Sequence, residues 1–256
     1  MFLGRRVFEA ANNVYFAGSS RYIIKKGRDA VPMYDQLVIG GVGSYDDFDA
    51  SVARRETPPP VKKIIKETIP FSNVTYDFSA LNGEVYWEER DLIYVFEIIA
   101  DTPQELEEKK AAFANWVMNI ADADIFDPFI DGYHFHGTFD GMDFDDEDSV
   151  DKSTITVTFK AYPYKIADSE KAYPFNLGVG GAFTLAVVNN SSHRVQMVVT
   201  TDGGITMTHD GATYGISAGV TRDAKLMLSP GVNEIVFLNS GTNAVEGTVS
   251  FREEVF

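Results

Sequence analysis

DTPQELEEKKAAFANWVMNI, residues 101–120, holds the strong helix signal of this chain. Thr102 can cap a helix, Pro103 suits its first position, and Glu105 completes a capping box. Leu106, Phe113, Trp116, Val117 and Ile120 recur at helical spacings and form one apolar stripe. Glu105, Glu107, Glu108, Lys109 and Lys110 lie mostly off it. The pattern predicts a helix over 103–120. One amphipathic helix in a strand-rich chain needs a sheet face to cover, and the N-terminal half supplies candidate strands for it. Trp116 and Phe113 are expected to be buried against Leu92–Ile99, a run apolar on both faces over most of its length and therefore central in its sheet.

Working outward, Tyr34 to Ile39 reads as a strand and Gly40 to Ser44 as a turn or loop. Pro58-Pro59-Pro60 is stiff and extended. Val61 to Phe71 mixes Ile64, Ile65 and Ile69 with Lys62, Lys63 and Lys66, which predicts an exposed or edge strand, lysine being a common guard of sheet edges. Val74 to Phe78 and Val85 to Trp87 are further strands, with a turn at Leu81-Asn82-Gly83-Glu84. After the helix come Asp124–Asp127, Gly132–Phe139 and the strongly alternating Ser153–Tyr164. From residue 173 onward the chain reads as all-β: Phe183–Val188, Val195–Thr200, Ile205–Thr208, Lys225–Leu228, Ile235–Leu238 and Val245–Phe251 alternate with Asn-, Asp-, Pro- and Gly-bearing turns, the pattern of a compact sandwich. The fold class expected is mainly β with one α-helix in the N-terminal domain. Three segments follow: a basic N-terminal arm at 1–32, an N-terminal β domain with its helix at 33–168, and a C-terminal β-sandwich at 169–256.

Composition narrows the function. An apolar content of 45% supports packed cores, and the absence of cysteine removes disulfide and thiolate chemistry and fits a reducing cytoplasm. No apolar run is long enough for a membrane-spanning helix, and no apolar core follows Arg5 and Arg6 as a secretory signal would require. The formal net charge is -16; an acidic body repels phosphate backbones, so nucleic acid is not an expected partner. The N-terminal segment is the exception, with Arg5, Arg6, Arg21, Lys25, Lys26 and Arg28. It is either an arm that docks on an acidic neighbour or a solvated terminus.

Chemistry-bearing clusters are sparse. His134 and His136 share a strand face, and Asp131 or Asp140 could complete a metal site, although His-x-His alone is a weak signal. Asp140, Asp143, Asp145, Asp146, Glu147, Asp148 and Asp151 read as a solvated acidic loop without the order of a calcium-binding loop. There is no nucleophile elbow, zinc motif or phosphate-binding loop. Phe175, Phe183, Tyr214, Phe237 and Phe251 could form a sugar-stacking platform or, as the alternation favours, a sandwich core. The expectation is therefore no enzyme, no catalytic residue, no cofactor and no metal.

The order of these elements resembles the distal tail protein of long-tailed, non-contractile phages. Met33 to Ile39 is similar to that family's N-terminal strand. Val61 to Tyr86 resembles its loop-then-strand segment, and Leu92 to Trp116 its strand and capped helix. Ala161-Tyr162-Pro163-Tyr164-Lys165 resembles its domain-ending element, and Leu226 to Ile235 its Leu-x-Pro-Gly-x-Asn turn. The resemblance implies an N-terminal β domain that forms a homo-hexameric ring and a galectin-like C-terminal sandwich. It also implies a virion tail-tip location after assembly in the bacterial host cytoplasm. The partners it implies are the tail tube protein and the tail-tip hub or adhesion protein. Residues 1–32 precede the family's usual start. Candidate ring contacts are Lys62, Lys63, Lys66, Arg5, Arg6, Lys25 and Lys26, set against acidic surfaces. The alternative is a carbohydrate-binding receptor-recognition module.

Overall fold

The structure, a computed structural model, describes residues 14–17, 20–23, 31–32, 35–68, 70–71, 73–79, 85–145 and 151–256. Two compact units divide the chain, Met1–Pro163 and Tyr164–Phe256. In the first, β1 (Val14–Ala17), β2 (Ser20–Ile23) and β3 (Val31–Pro32) form a small antiparallel sheet. Next come β4 (Val38–Ile39), β5 (Val42–Gly43), helix α1 (Ser44–Phe48) and β6 (Ala50–Glu56). A two-stranded ribbon, β7 (Lys66–Thr68) and β8 (Thr75–Asp77), precedes β9 (Arg90–Ile99) and helix α2 (Pro103–Met118). β10 (Ala123–Phe126), β11 (Tyr133–Asp145) and β12 (Lys152–Ala161) complete the unit. The main sheet runs β5-β4-β10-β11-β12-β9-β6, antiparallel throughout.

Helix α2 forms where its caps and stripe place it. Thr102 Oγ accepts from the Glu105 N–H at 3.2 Å. Glu105 reaches back one residue further than a standard capping box, to the Asp101 N–H at 3.3 Å. Leu106, Phe113, Val117 and Ile120 are buried over Leu92, Tyr94, Phe96 and Ile98 of β9 and Ile155, Val157 and Phe159 of β12. The Phe113 and Phe96 rings lie 4.9 Å apart. Trp116 departs from expectation: it is half-buried and stacks on Phe48 of α1 at 4.9 Å. β9 is an interior strand, but only one of its faces is sealed; Ile93 and Val95 on the other are half-buried and Ile99 is exposed.

The expected strand at Tyr34–Ile39 shrinks to β4, and Met33 and Tyr34 lie outside the described residues. Side-chain bonds explain the loss. Ser44 Oγ accepts from the Leu37 N–H at 3.1 Å, and Gln36 donates to Asp46 at 3.2 Å, tying 36–37 to α1 instead of a ladder. Gly40 and Gly41, both at positive φ, make the two-residue hairpin turn to β5.

The second unit contains β13 (Lys165–Ala167), β14 (Lys171–Leu177), β15 (Ala182–Asn189), β16 (Val195–Thr201) and β17 (Ile205–His209). β18 (Ala212–Ile216), β19 (Gly219–Leu228), β20 (Gly231–Leu238), β21 (Val245–Phe251) and β22 (Glu254–Val255) follow. Two four-stranded sheets, β14-β21-β16-β19 and β15-β20-β17-β18, enclose a core in which Phe175 and Phe237 stack across the sandwich at 4.1 Å. Gly247 faces Phe175 across the ladder, and a Cβ there would run into the Phe175 ring. β13 pairs with β22, so residues 165–167, assigned to the first domain by the sequence, belong to the second unit.

Buried asparagines organise the loops of this unit. Asn239, fully buried, donates to the carbonyls of Gly178 and Asn243 and accepts from Gly241 N–H. Asn189 donates to the Leu228 carbonyl and accepts from Ser191 N–H. In the Pro230-Gly231 turn, Asn233 accepts from Ser229 N–H at 2.9 Å and donates to the Ser229 carbonyl at 2.7 Å. Each amide satisfies backbone groups that the tight turns leave unpaired.

Candidate assembly arm

Between β6 and β9 the chain leaves the main sheet. Pro58-Pro59-Pro60 carries it away, and the two limbs then pair: Lys63 N–H donates to Tyr86 O and Glu88 N–H to Val61 O, both at 2.8 Å, around a bridge between Lys62 and Trp87. Beyond them Ile65 accepts from Phe78 N–H at 2.8 Å and donates its own N–H to Ser79 Oγ. Asp77 in turn accepts from Ser79 N–H, and the hydrogen bonds from Ser79 hold its carboxyl below the usual range, with Lys66 and Lys62 adding to the effect. β7 and β8 extend the pair further. Val61 to Phe71, expected as an exposed or edge strand, is exposed at its described residues and forms one limb of a separate ribbon, apart from the main sheet.

The arm is apolar but uncovered. Val61 is 69% exposed, Ile64 62%, Val74 53%, and Phe71 fully exposed. Tyr76 and Phe78 stack on one another, with both rings open to solvent. A lone two-stranded ribbon is marginal in water, and clustered exposed apolar side chains make it a candidate contact surface. Lys62, Lys63 and Lys66 are all exposed on it. Of the other candidate contacts, Arg5, Arg6, Lys25 and Lys26 lie outside the described residues.

The root of the arm is fixed by Arg90, the first residue of β9. Its buried guanidinium donates to the carbonyls of Thr57 at 2.9 Å and Pro163 at 3.3 Å and lies over the Phe135 ring. Burial holds its pKa below the ordinary value. Nearby, Arg55 Nε–H is shared between the two carboxylate oxygens of buried Asp127, at 3.1 and 3.0 Å. Desolvation of the Asp127 carboxyl still outweighs the attraction of Arg55, so its pKa is raised. Sequence reasoning missed both arginines, because an isolated Arg carries no pattern.

The other candidates resolve differently. His134 and His136 meet Asp124 and Asp122, not Asp131 or Asp140. His136 Nδ1 lies 2.7 Å from Asp124, its Nε2 2.8 Å from Asp122, and His134 Nε2 3.6 Å from Asp124. The hydrogen bond with Asp124 raises the His136 pKa, assisted by the Asp122 charge. Among the described residues no cluster of three or more such ligands could hold a metal ion. Asp140, Asp143 and Asp145 sit on β11, so three of the seven acids of the expected loop are on a strand; Asp146, Glu147 and Asp148 lie outside the described residues. Phe175, Phe237 and Phe251 are core, Tyr214 is half-buried, and only Phe183 of that set is exposed. A depression of about 640 Å³ in the second unit is lined by Asn176, Asp202, Glu246 and threonines, but its one aromatic, Phe175, is buried. Among the described residues no helix is long and apolar enough to cross a membrane.

No protein-family model matches the sequence, and no curated protein matches it significantly. Solved structures do match. The Dit protein of SPP1, described as a paradigm of hub adsorption apparatus in phages that infect Gram-positive bacteria, aligns with a TM-score of 0.60 and 14% identity over 85% of this chain and 98% of that one. The phage P2 baseplate in its activated conformation aligns at 0.41 and 7% identity, over 84% and 97%, too distant to carry an argument. The chain has the fold of the SPP1 Dit protein across both units.

Proposed function

We propose that this chain is a structural, non-catalytic protein of a phage tail tip. It forms a six-membered ring at the distal end of the tail and joins the tail tube to the hub and adhesion parts. On this reading it assembles in the bacterial host cytoplasm and resides in the virion. The observation that carries the reading is the match to nearly the whole of the SPP1 Dit fold. Fold alone does not imply function. The uncovered arm is what makes assembly the favoured use of this fold, because a monomer leaves it without a second layer. Lys62, Lys63 and Lys66 would meet acidic surface on the neighbouring copy, around an apolar centre. Such exposed pairs weaken with salt, since the screening length falls to about 3 Å near 1 M. Negative-stain imaging of the purified protein at low and high salt tests this: rings that thin out as salt rises support it, and single particles under every condition refute it. Against the alternative of a sugar-binding module stands the burial of Phe175, Phe237 and Phe251, three of the five aromatics it would draw on.

A further inference from the structure

His136 stands between two carboxylates. Its Nδ1 lies 2.7 Å from Asp124 and its Nε2 2.8 Å from Asp122. A neutral imidazole has one N–H and one bare nitrogen, whereas the imidazolium donates from both. With an ionised carboxylate against each nitrogen, a neutral ring would set its lone pair against a carboxylate oxygen. The contacts are therefore those of the imidazolium. The two carboxylates are anchored unequally. Asp124 lies directly opposite His136 in the β10–β11 ladder. Asp122 belongs to the turn between α2 and β10, where its side chain is 78% exposed. The turn is tied to β11 at Ile120, whose carbonyl accepts from the Phe139 N–H at 3.0 Å. Ala121 and Asp122, beyond that tie, are exposed.

We propose that Asp122, His136 and Asp124 form a proton-operated clasp: the doubly protonated ring locks the α2–β10 turn to β11, and loss of one proton to solvent releases Asp122 and frees residues 121–122. The remaining N–H stays with Asp124, because strand register fixes that pair, and the bare Nε2 then repels the Asp122 carboxylate. One further titratable group faces the pair, His134 of β11, whose Nε2 lies 3.6 Å from the same Asp124 oxygen. From the end of β12, Tyr162 meets His136 through the backbone, its N–H donating to the His136 carbonyl at 2.8 Å. The direction of the switch follows from the charges. The hydrogen bond with Asp124, with the Asp122 charge in support, raises the His136 pKa above 6.5. The clasp is therefore whole below that value and is lost as pH rises through the folded pKa. Exposed ion pairs contribute little to global stability, so the switch acts on the turn and not on the fold.

The chain has no cysteine, so Ala121→Cys in the full-length protein places a single nitroxide on the turn. Val179→Cys, at an exposed position of the second unit, places a control. Electron paramagnetic resonance spectra are taken at one ionic strength between about pH 5.5 and about pH 9, the span in which such a histidine titrates. The expected result is a restricted label at 121 at the acid end and a mobile one at the alkaline end, with a midpoint above 6.5 and a constant spectrum at 179. With His136→Gln or Asp122→Ala added, the label at 121 should be mobile at every pH. A label at 121 that does not respond to pH overturns the clasp, as does a transition that keeps its midpoint in either variant. A change at 179 in step with that at 121 shows a global transition and overturns the local switch. If either variant fails to fold, the titration of the otherwise unaltered chain decides alone.

Discussion

β9 and the arm before it use the same alphabet to opposite ends. Leu92, Tyr94, Phe96 and Ile98 are at most 1% exposed, whereas Ile64, Ile65, Val74 and Tyr76 are 40–62% exposed. Both stretches are β-forming and apolar. One lies under a helix whose stripe matches its inward face; the other has no layer over it in the described unit. Apolar strand sequence therefore specifies extended backbone and the need for a cover, but not whether the cover comes from the same chain.

The sharpest way to break this contrast is to remove the cover. Phe113→Ala should lower the stability of the first unit by about 3–5 kcal/mol, the range for deleting a buried Phe, read by denaturant unfolding. A neutral result would mean that α2 is not what seals β9. Next is the clamp: Arg90→Met should cost about 1–3 kcal/mol by leaving the Thr57 and Pro163 carbonyls unpaired. It should also speed hydrogen exchange at the arm root, around residues 61–63 and 86–88, more than in β9 itself. Uniform acceleration would show that Arg90 serves the core and not the arm. Trp116→Ala should cost roughly 1–2 kcal/mol, below the core range because the ring is half-buried and loses chiefly its stack on Phe48. At the far end of the scale, Ile64→Ser should change unfolding of the dissociated chain by no more than about 0.5 kcal/mol while weakening self-association. A large loss of monomer stability would place Ile64 in a core.

His136 supplies a comparison in pH. Its pKa is raised above 6.5 in the folded state, so its bonds to Asp122 and Asp124 contribute fully below that value and are lost as pH rises through the higher folded pKa. Being largely exposed, the cluster is screened and the effect is small. His136→Gln should flatten the stability profile on the alkaline side of pH 6.5; an unchanged slope would show the imidazole to be uncoupled from folding.

Much of this architecture was legible in the sequence where period and cap agreed. Thr102, Pro103 and the Phe113–Val117 stripe mark α2, and β12 and β21 follow from alternation. What was not legible lacks period. α1 spans a single short turn, SYDDF, and is held by Ser44 and Asp49 contacts with no pattern. β18 carries a Gly within ATYGI and reads as loop. The arm was visible as lysine-dotted apolar sequence, but whether Val61–Phe71 edges the main sheet or leaves it depends on Arg90 and Thr57, residues distant in sequence and without a motif.

The asparagines inside the second unit have a consequence for how the protein ages. Asn189, Asn233 and Asn239 each point an amide N–H₂ at carbonyl oxygens. Slow hydrolysis of such an amide to a carboxylate alters the volume hardly at all, yet it turns two donors into an acceptor and places negative charge against those oxygens. A long-lived particle built from this chain would therefore carry a chemical clock in its loops. Heated or stored samples should lose loop order one asparagine at a time, while the stacked Phe175 and Phe237 between the sheets remain in place.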